Sequence, residues 1–242
     1  MSLPPEPVLS IRDLNARYGD FQALFNVSFD LDEGELLALI GANGAGKSTL
    51  MRAISGLLQT EDHMIRHRGM PIGGLSPDKT ALRGIALVPE GRRLFRSLSV
   101  EENLIIGGQG GRKGQWNLDS VYALFPILKE KRRNPGTSLS GGQQQMVAIG
   151  RALMSNPELI LFDEISLGLA PVVIKDIYAA LPSILSAGVS AILVEQDINR
   201  ALQDAHRFLC LQEGRISLAG RPHEVSRQEI TAAYFGKSSW NG

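Results

Sequence analysis

The stretch Leu36-Leu-Ala-Leu-Ile-Gly-Ala-Asn-Gly-Ala-Gly-Lys-Ser-Thr49 runs from an unbroken apolar block into a glycine-rich turn that ends on a lysine and two hydroxyls. An apolar block of this length before a turn reads as a strand covered on both faces. The pattern G-x-x-x-x-G-K-[ST] is met at Gly41, Gly46, Lys47 and Ser48, and a helical pattern follows over Lys47 to Leu57. Strand, glycine loop and helix in this order make a phosphate cradle. Loop amides from Gly41 through Asn43, Gly44, Ala45 and Gly46 face phosphate oxygens, and the helix start at Lys47, Ser48 and Thr49 adds its positive end. Lys47 would neutralise the β and γ phosphates, and Ser48 would hold Mg²⁺. A merely tight glycine turn is the weaker reading.

Outward from this loop, three further apolar runs recur: Ile85 to Val88, Leu159 to Phe162 and Val189 to Val194. They alternate with longer helical patterns, so the fold class is α/β with a mostly parallel sheet. Val8 to Leu14 and Ala23 to Leu31 read instead as half-buried antiparallel strands around the turn Tyr18-Gly19-Asp20. From about Ser99 to Ser155 the chain reads as helices joined by a hinge at Gly107 to Gly114, a helical subdomain inserted in the core. The expected division is a core of about 6–92 and 156–236 with a helical subdomain of about 93–155. After Phe208 two short strands and a helix near Gln228 to Tyr234 are expected, then a mobile polar tail. Met1 to Pro7 reads as a loose lead-in without the pattern of a secretory signal.

Every apolar run is followed at once by polar residues: the glycine loop, Glu90, Asp163 with Glu164, and Glu195-Gln196-Asp197. Ligands in open α/β sheets bind beyond the carboxyl ends of the strands, so the four groups are expected to face one phosphate. Four unrelated loop acids are the alternative. Leu159-Ile-Leu-Phe-Asp163-Glu164 has the form in which the aspartate reaches a metal and the glutamate polarises the water that attacks the γ phosphate. A second anion-binding helix start lies at Leu139-Ser-Gly-Gly-Gln-Gln-Gln145. There Ser140 is a natural N-cap, Gly141 and Gly142 expose backbone donors, and Met146, Ile149 and Leu153 keep helical spacing. A plain capped helix would carry the same residues.

Composition narrows the partners. Lys and Arg number 25 against 25 Asp and Glu, so nothing in the balance favours nucleic acid or anionic lipid. Hydrophobic residues at 43% and charged residues at 21% exclude wholesale disorder and filaments. One cysteine, Cys210, permits neither an internal disulfide nor a multi-cysteine zinc site, and its FLCL context reads as buried strand. No stretch reaches the roughly 18–20 apolar residues of a membrane span, and no repeat of fixed period occurs.

With these residues in hand, the chain resembles the ATP-binding subunit of an ABC transporter from Tyr18 to Phe235. LSGGQQQ resembles the family signature and lies in the family's order, between the phosphate loop and the Asp163-Glu164 strand. The resemblance implies an ATPase using ATP and Mg²⁺, in which the signature helix of one subunit closes over ATP held by its partner. It makes Tyr18 the aromatic that stacks on adenine, a turn tyrosine being the alternative. A nearer resemblance is to the branched-chain amino acid uptake ATPases, the LivF-like branch. It rests on VPEGRRLF at 88–95, SVEENL at 99–104, AIGRALMSNP at 148–157, SLGLAP at 166–171 and LVEQ at 193–196. That branch implies an importer of branched-chain or other hydrophobic amino acids, with a homo- or heterodimeric second ATPase, integral-membrane permease subunits and a periplasmic or extracellular binding protein. It would sit peripherally on the cytoplasmic face of the membrane. Most ABC ATPases have glutamine where this chain has Glu90 and histidine where it has Gln196, and the LivF-like branch resembles the chain at both. Glu90 brings an extra acid near Mg²⁺, and Gln196 can only exchange hydrogen bonds at the γ phosphate.

Other positions depart from the family. Ile165 replaces the usual proline behind Glu164, which removes a fixed φ and predicts a looser placement. Ala170 replaces a common acid, and His63 falls near a usual glycine. A soluble ABC ATPase of a non-transport assembly and a low-turnover regulatory subunit are the rival readings. His63 and His67, four apart, read as surface histidines rather than metal ligands. Lys129 to Arg133 reads as a solvated helix face, with a lipid headgroup contact as the lesser alternative. Arg92 to Arg96, with Leu94 and Phe95 embedded, faces either the permease groove or the underside of the helical subdomain.

Overall fold

The computed structural model of the chain describes residues 6–235. Residues 1–5 of the lead-in and the polar tail beyond Phe235 lie outside them. The apolar runs build one central sheet from β3 (Leu36–Ile40), β6 (Ile85–Val88), β7 (Leu159–Asp163), β8 (Ser190–Val194), β9 (Arg207–Gln212) and β10 (Arg215–Gly220), in the order β10-β9-β3-β8-β7-β6. Every pair is parallel except β9–β10. The carboxyl ends of β3, β6, β7 and β8 therefore share one rim, as expected for a doubly covered α/β sheet.

Alternation along these strands separates two cores. Ile160, Phe162, Ala191 and Leu193 face one layer with helices, while Leu159, Leu161, Ile192 and Val194 face the other. The period of two explains why such runs are uniformly apolar: each face meets its own hydrophobic layer. Leu37, Leu161, Ile192 and Val194 are fully buried, each contributing about 1.5–3 kcal/mol of transfer free energy.

A second, antiparallel sheet has the order β2-β1-β4-β5, built from β1 (Leu9–Tyr18), β2 (Phe21–Leu31), β4 (Ile65–His67) and β5 (Met70–Pro71). It covers the second layer together with α1 (Lys47–Ile54). This helix stops before the expected Leu57, because the chain turns left-handed at Gly56, φ 75°. A short α2 (Pro77–Leu82) precedes β6. Cys210 is buried on β9, as its context predicts. His67 corrects the surface reading: it is 4% exposed, because its place on β4 turns it inward beside Glu158 and Arg68.

Between β6 and β7 lie α3 (Val100–Gly107), α4 (Leu118–Leu124), α5 (Pro126–Glu130) and α6 (Gly141–Leu153), with a 3₁₀ turn at Gly108–Gly110 in the glycine-rich hinge. Ser99 opens α3 with a capping box: its hydroxyl accepts from the Glu102 amide at 3.2 Å, and Glu102 accepts from the Ser99 amide at 2.7 Å. Val100, Leu104, Val121, Leu128, Val147 and Leu153 pack into the same core as Phe162, tying these helices to the sheet. α7 (Pro171–Ser186), α8 (Ile198–Gln203) and α9 (Arg227–Phe235) complete the chain. No described helix is long and apolar enough to cross a membrane.

Candidate nucleotide site

The loop between β3 and α1 owes its shape to glycine. Gly41, Gly44 and Gly46 have φ of 150°, 82° and 105°, values that side chains with a Cβ rarely adopt. Gly46 caps α1 without a side-chain hydrogen bond, so the first amides of the helix stay free for an anion. Lys47 is 5% exposed, and its Nζ donates to the carbonyls of Gly41 at 2.6 Å and Ala42 at 3.1 Å. Burial pulls its pKa down, while the charges of Glu164 and Asp163 oppose the shift.

Asp163 ends β7 on the same rim. Burial, with the charges of Glu164 and Glu90, pushes its carboxyl up to about 6, against Lys47 and Arg52. Glu164 follows at φ 50°, its amide donating to the Val194 carbonyl at 3.0 Å. Its Oε2 accepts from Gln196 Nε2 at 2.7 Å. Phosphate loop, Asp163, Glu164, Glu90 and Gln196 thus gather at one end of the sheet. Glu195 departs from the expectation for its group. It is 2% exposed and turned away from the loop, because its carboxylate is taken up by Ser166 and Tyr178.

A cavity of about 850 Å³ opens over the loop, floored by Asn43, Gly44, Gly46, Lys47, Ser48 and Thr49, with Glu164 at its edge. Gly41 and Ala45 shape the loop from behind; Ala45 is 6% exposed and packs into the core under β1 and β2. Tyr18, at the end of β1, lines the same cavity with Phe21 and Phe25. Sequence reasoning missed Phe21, Phe25 and Arg215, whose guanidinium lies 4.8 Å from the Phe25 ring centroid. Phe21 pairs with Tyr18 across the β1–β2 turn, while the β9–β10 turn brings Phe25 and Arg215 there: Gly214 donates to the Ala45 carbonyl and accepts from the Phe25 amide. These bonds cross long sequence separations, and no local pattern announces them.

Ser140, Gly141 and Gly142 stand apart from this cavity at the start of α6. Ser140 Oγ accepts from the Gln143 amide at 3.3 Å, and Gln143 Oε1 accepts from the Ser140 amide at 3.1 Å. The cap is as expected, yet within one chain it does not meet the phosphate loop. The Arg92–Arg96 segment divides: Leu94 packs against the helical core, while Phe95 is half exposed beneath the Arg151 guanidinium.

Comparison with known proteins agrees with this geometry. The ABC transporter family profile matches residues 24–166. The chain is 46% identical over 95% of its length, and 100% of the relative's, to the high-affinity branched-chain amino acid transport ATP-binding protein BraG of Pseudomonas aeruginosa. It is 31% identical, over 89% of its length and 93% of the relative's, to a probable branched-chain amino acid transport ATP-binding protein LivF of Archaeoglobus fulgidus. An ATP-binding cassette of an ABC transporter, solved in its ADP conformation, superposes with a TM-score of 0.80 at 26% identity, covering 96% of both chains. A phosphate loop, an acidic strand end and a signature helix in one chain, with these relatives, place the protein in the ABC transporter family as a nucleotide-binding ATPase subunit.

Proposed function

We propose that this chain is the motor subunit of an importer for branched-chain or other hydrophobic amino acids, working as a dimer beneath a membrane permease fed by a binding protein. The observation that carries the proposal is the separation of two anion-binding helix starts. One closes the loop of Lys47, and the other, at Ser140, does not line the cavity over that loop within the chain. A second ATPase subunit, identical or different, gives the latter its use: Ser140, Gly141 and Gly142 of one subunit cap the triphosphate gripped by the other. The cargo follows from the LivF-like blocks and from the similarity to BraG.

Tyr18 holds the adenine ring, amides from Gly41 to Thr49 orient the triphosphate, and Lys47 neutralises its terminal groups. Ser48, Asp163 and Glu90 are the residues that would hold Mg²⁺. The carboxyl groups suit a cation: Asp163 is raised to about 6 by burial and like charge, a cost that a divalent ion removes. When bound, the ion neutralises charge on the phosphates. Gln196 occupies Oε2 of Glu164, leaving Oε1 to accept the proton of the attacking water. The division into a core of about 6–92 and 156–236 and a helical unit of about 93–155 belongs to the same proposal, as does a peripheral place on the cytoplasmic membrane face.

The test is phosphate release by the transporter co-purified through a tag on this chain. Glu164→Gln abolishes turnover and keeps ATP binding. Equal rates in the two proteins would favour a regulatory subunit, and absence of an integral-membrane partner would favour a soluble assembly. Competition of labelled leucine uptake by other solutes fixes the cargo.

A further inference from the structure

We infer that Glu195 is a positioning residue for the Glu164 carboxylate, acting through Ser166. Glu195 is buried at 2% exposure and forms no ion pair among the described residues. Its partners are neutral donors: Oε1 accepts from the Ser166 amide at 3.2 Å and the Tyr178 hydroxyl at 2.8 Å, and Oε2 accepts from the Ser166 hydroxyl at 2.6 Å. A carboxylate in an apolar interior is unfavourable unless its lone pairs are met. Two of the three donors that meet them belong to one residue, on the loop that carries Glu164.

That loop needs holding. Glu164 has φ 50°, in the left-handed region that costs a residue with a Cβ. Three fastenings keep it there: the Glu164 amide on the Val194 carbonyl, the Ile165 side chain buried at 1% exposure, and Ser166 on Glu195. The consecutive residues Glu195 and Gln196 leave the end of β8 in opposite directions, Glu195 inward to Ser166 and Gln196 outward to Glu164 Oε2. Together they grip Glu164 from behind and in front. This fastening answers the expectation of a loose Glu164: where the family resemblance places a proline, the chain has Ile165 and a buried carboxylate clamp. Removing the clamp lets the backbone leave φ 50° and carries the carboxylate away from Gln196. Nucleotide affinity is untouched, since neither Glu195 nor Ser166 lines the cavity.

The inference rests on Glu164 being the base, and the experiment separates the two. Steady-state phosphate release by the tagged, co-purified transporter is measured for wild type, Glu164→Gln, Glu195→Gln, Ser166→Ala and the Glu195→Gln/Ser166→Ala double variant, with KM for ATP and thermal midpoint for each. A wild type that releases no phosphate, or a Glu164→Gln variant as fast as wild type, overturns the base assignment and the inference with it. With both controls as proposed, Glu195→Gln and Ser166→Ala each lower kcat about tenfold with KM within about twofold, and the double variant falls no further than the poorer single, the non-additivity of one shared unit. Unchanged kcat in Ser166→Ala, which lies in a partly exposed loop and does not test the core, overturns the inference alone. So do multiplicative losses in the double variant, or a KM that rises as kcat falls.

Discussion

Three glycines share the phosphate loop, and the structure sets a different penalty for an alanine at each. A Cβ on Gly44 meets nothing within 4 Å, so Gly44→Ala carries only the strain of φ 82°, about 1 kcal/mol. On Gly46 it comes to 2.8 Å from Leu24 Cδ2 and 3.3 Å from the Ala23 carbonyl oxygen, at φ 105°. The leucine end can rotate aside, so strain and overpacking together come to about 2–4 kcal/mol. On Gly41 it lies 2.4 Å from the backbone oxygen of Leu211 in β9, at φ 150°. Neither strand can move without breaking the central sheet, so Gly41→Ala costs more than about 4 kcal/mol. Urea unfolding of the purified chain, followed by far-UV circular dichroism, should rank the stabilities Gly44→Ala, Gly46→Ala, Gly41→Ala from mildest to worst. A fluorescent ATP analogue should show Gly44→Ala losing affinity out of proportion to its stability, since its methyl enters the nucleotide cavity. Equal stability of Gly41→Ala and Gly44→Ala, or the reverse order, would refute the packing of this loop against β9.

Two further outcomes are expected. Burial holds His67 below its ordinary value of 6.5, against the charge of Glu158 and with Arg68, Arg112 and Arg83. The unfolded chain therefore binds a proton that the folded chain resists, so stability is full above pH 6.5 and falls as pH drops through the folded value. Thermal midpoints at pH 7.5 and pH 5.5 should differ less in His67→Gln than in wild type, and an undiminished gap would point to another group. Ser99→Ala removes the hydroxyl half of the α3 capping box and should cost about 1 kcal/mol, read as a thermal midpoint lower by about 2–4 °C; the same midpoint would mean that α3 is held by packing alone.

Much of this protein was legible without coordinates. The apolar block before Gly41, the glycine spacing up to Lys47 and the recurrence of apolar runs followed by acids determined a parallel sheet with one functional rim. Each signal is local: φ beyond zero favours glycine, a strand covered on both faces requires an apolar run, and a helix start takes Ser140 or Ser99 as its cap. The ABC resemblance then ordered these signals, and the family profile and the BraG relative agree with it.

Tertiary structure decided the rest, wherever two readings share one local pattern. Glu195 and Gln196 are equally polar neighbours after the same strand, and only Ser166 and Tyr178 on the inner side make one a buried clamp and leave the other beside Glu164. His67 looks like a surface residue in a polar stretch, yet its pairing opposite Leu9 carries it into the interior. Phe25 and Arg215 join the cavity wall only because the β9–β10 turn docks on Ala45. The direction of a side chain at a strand end, and the partner across a turn, depend on which layer covers it, and residues distant in the sequence supply that layer.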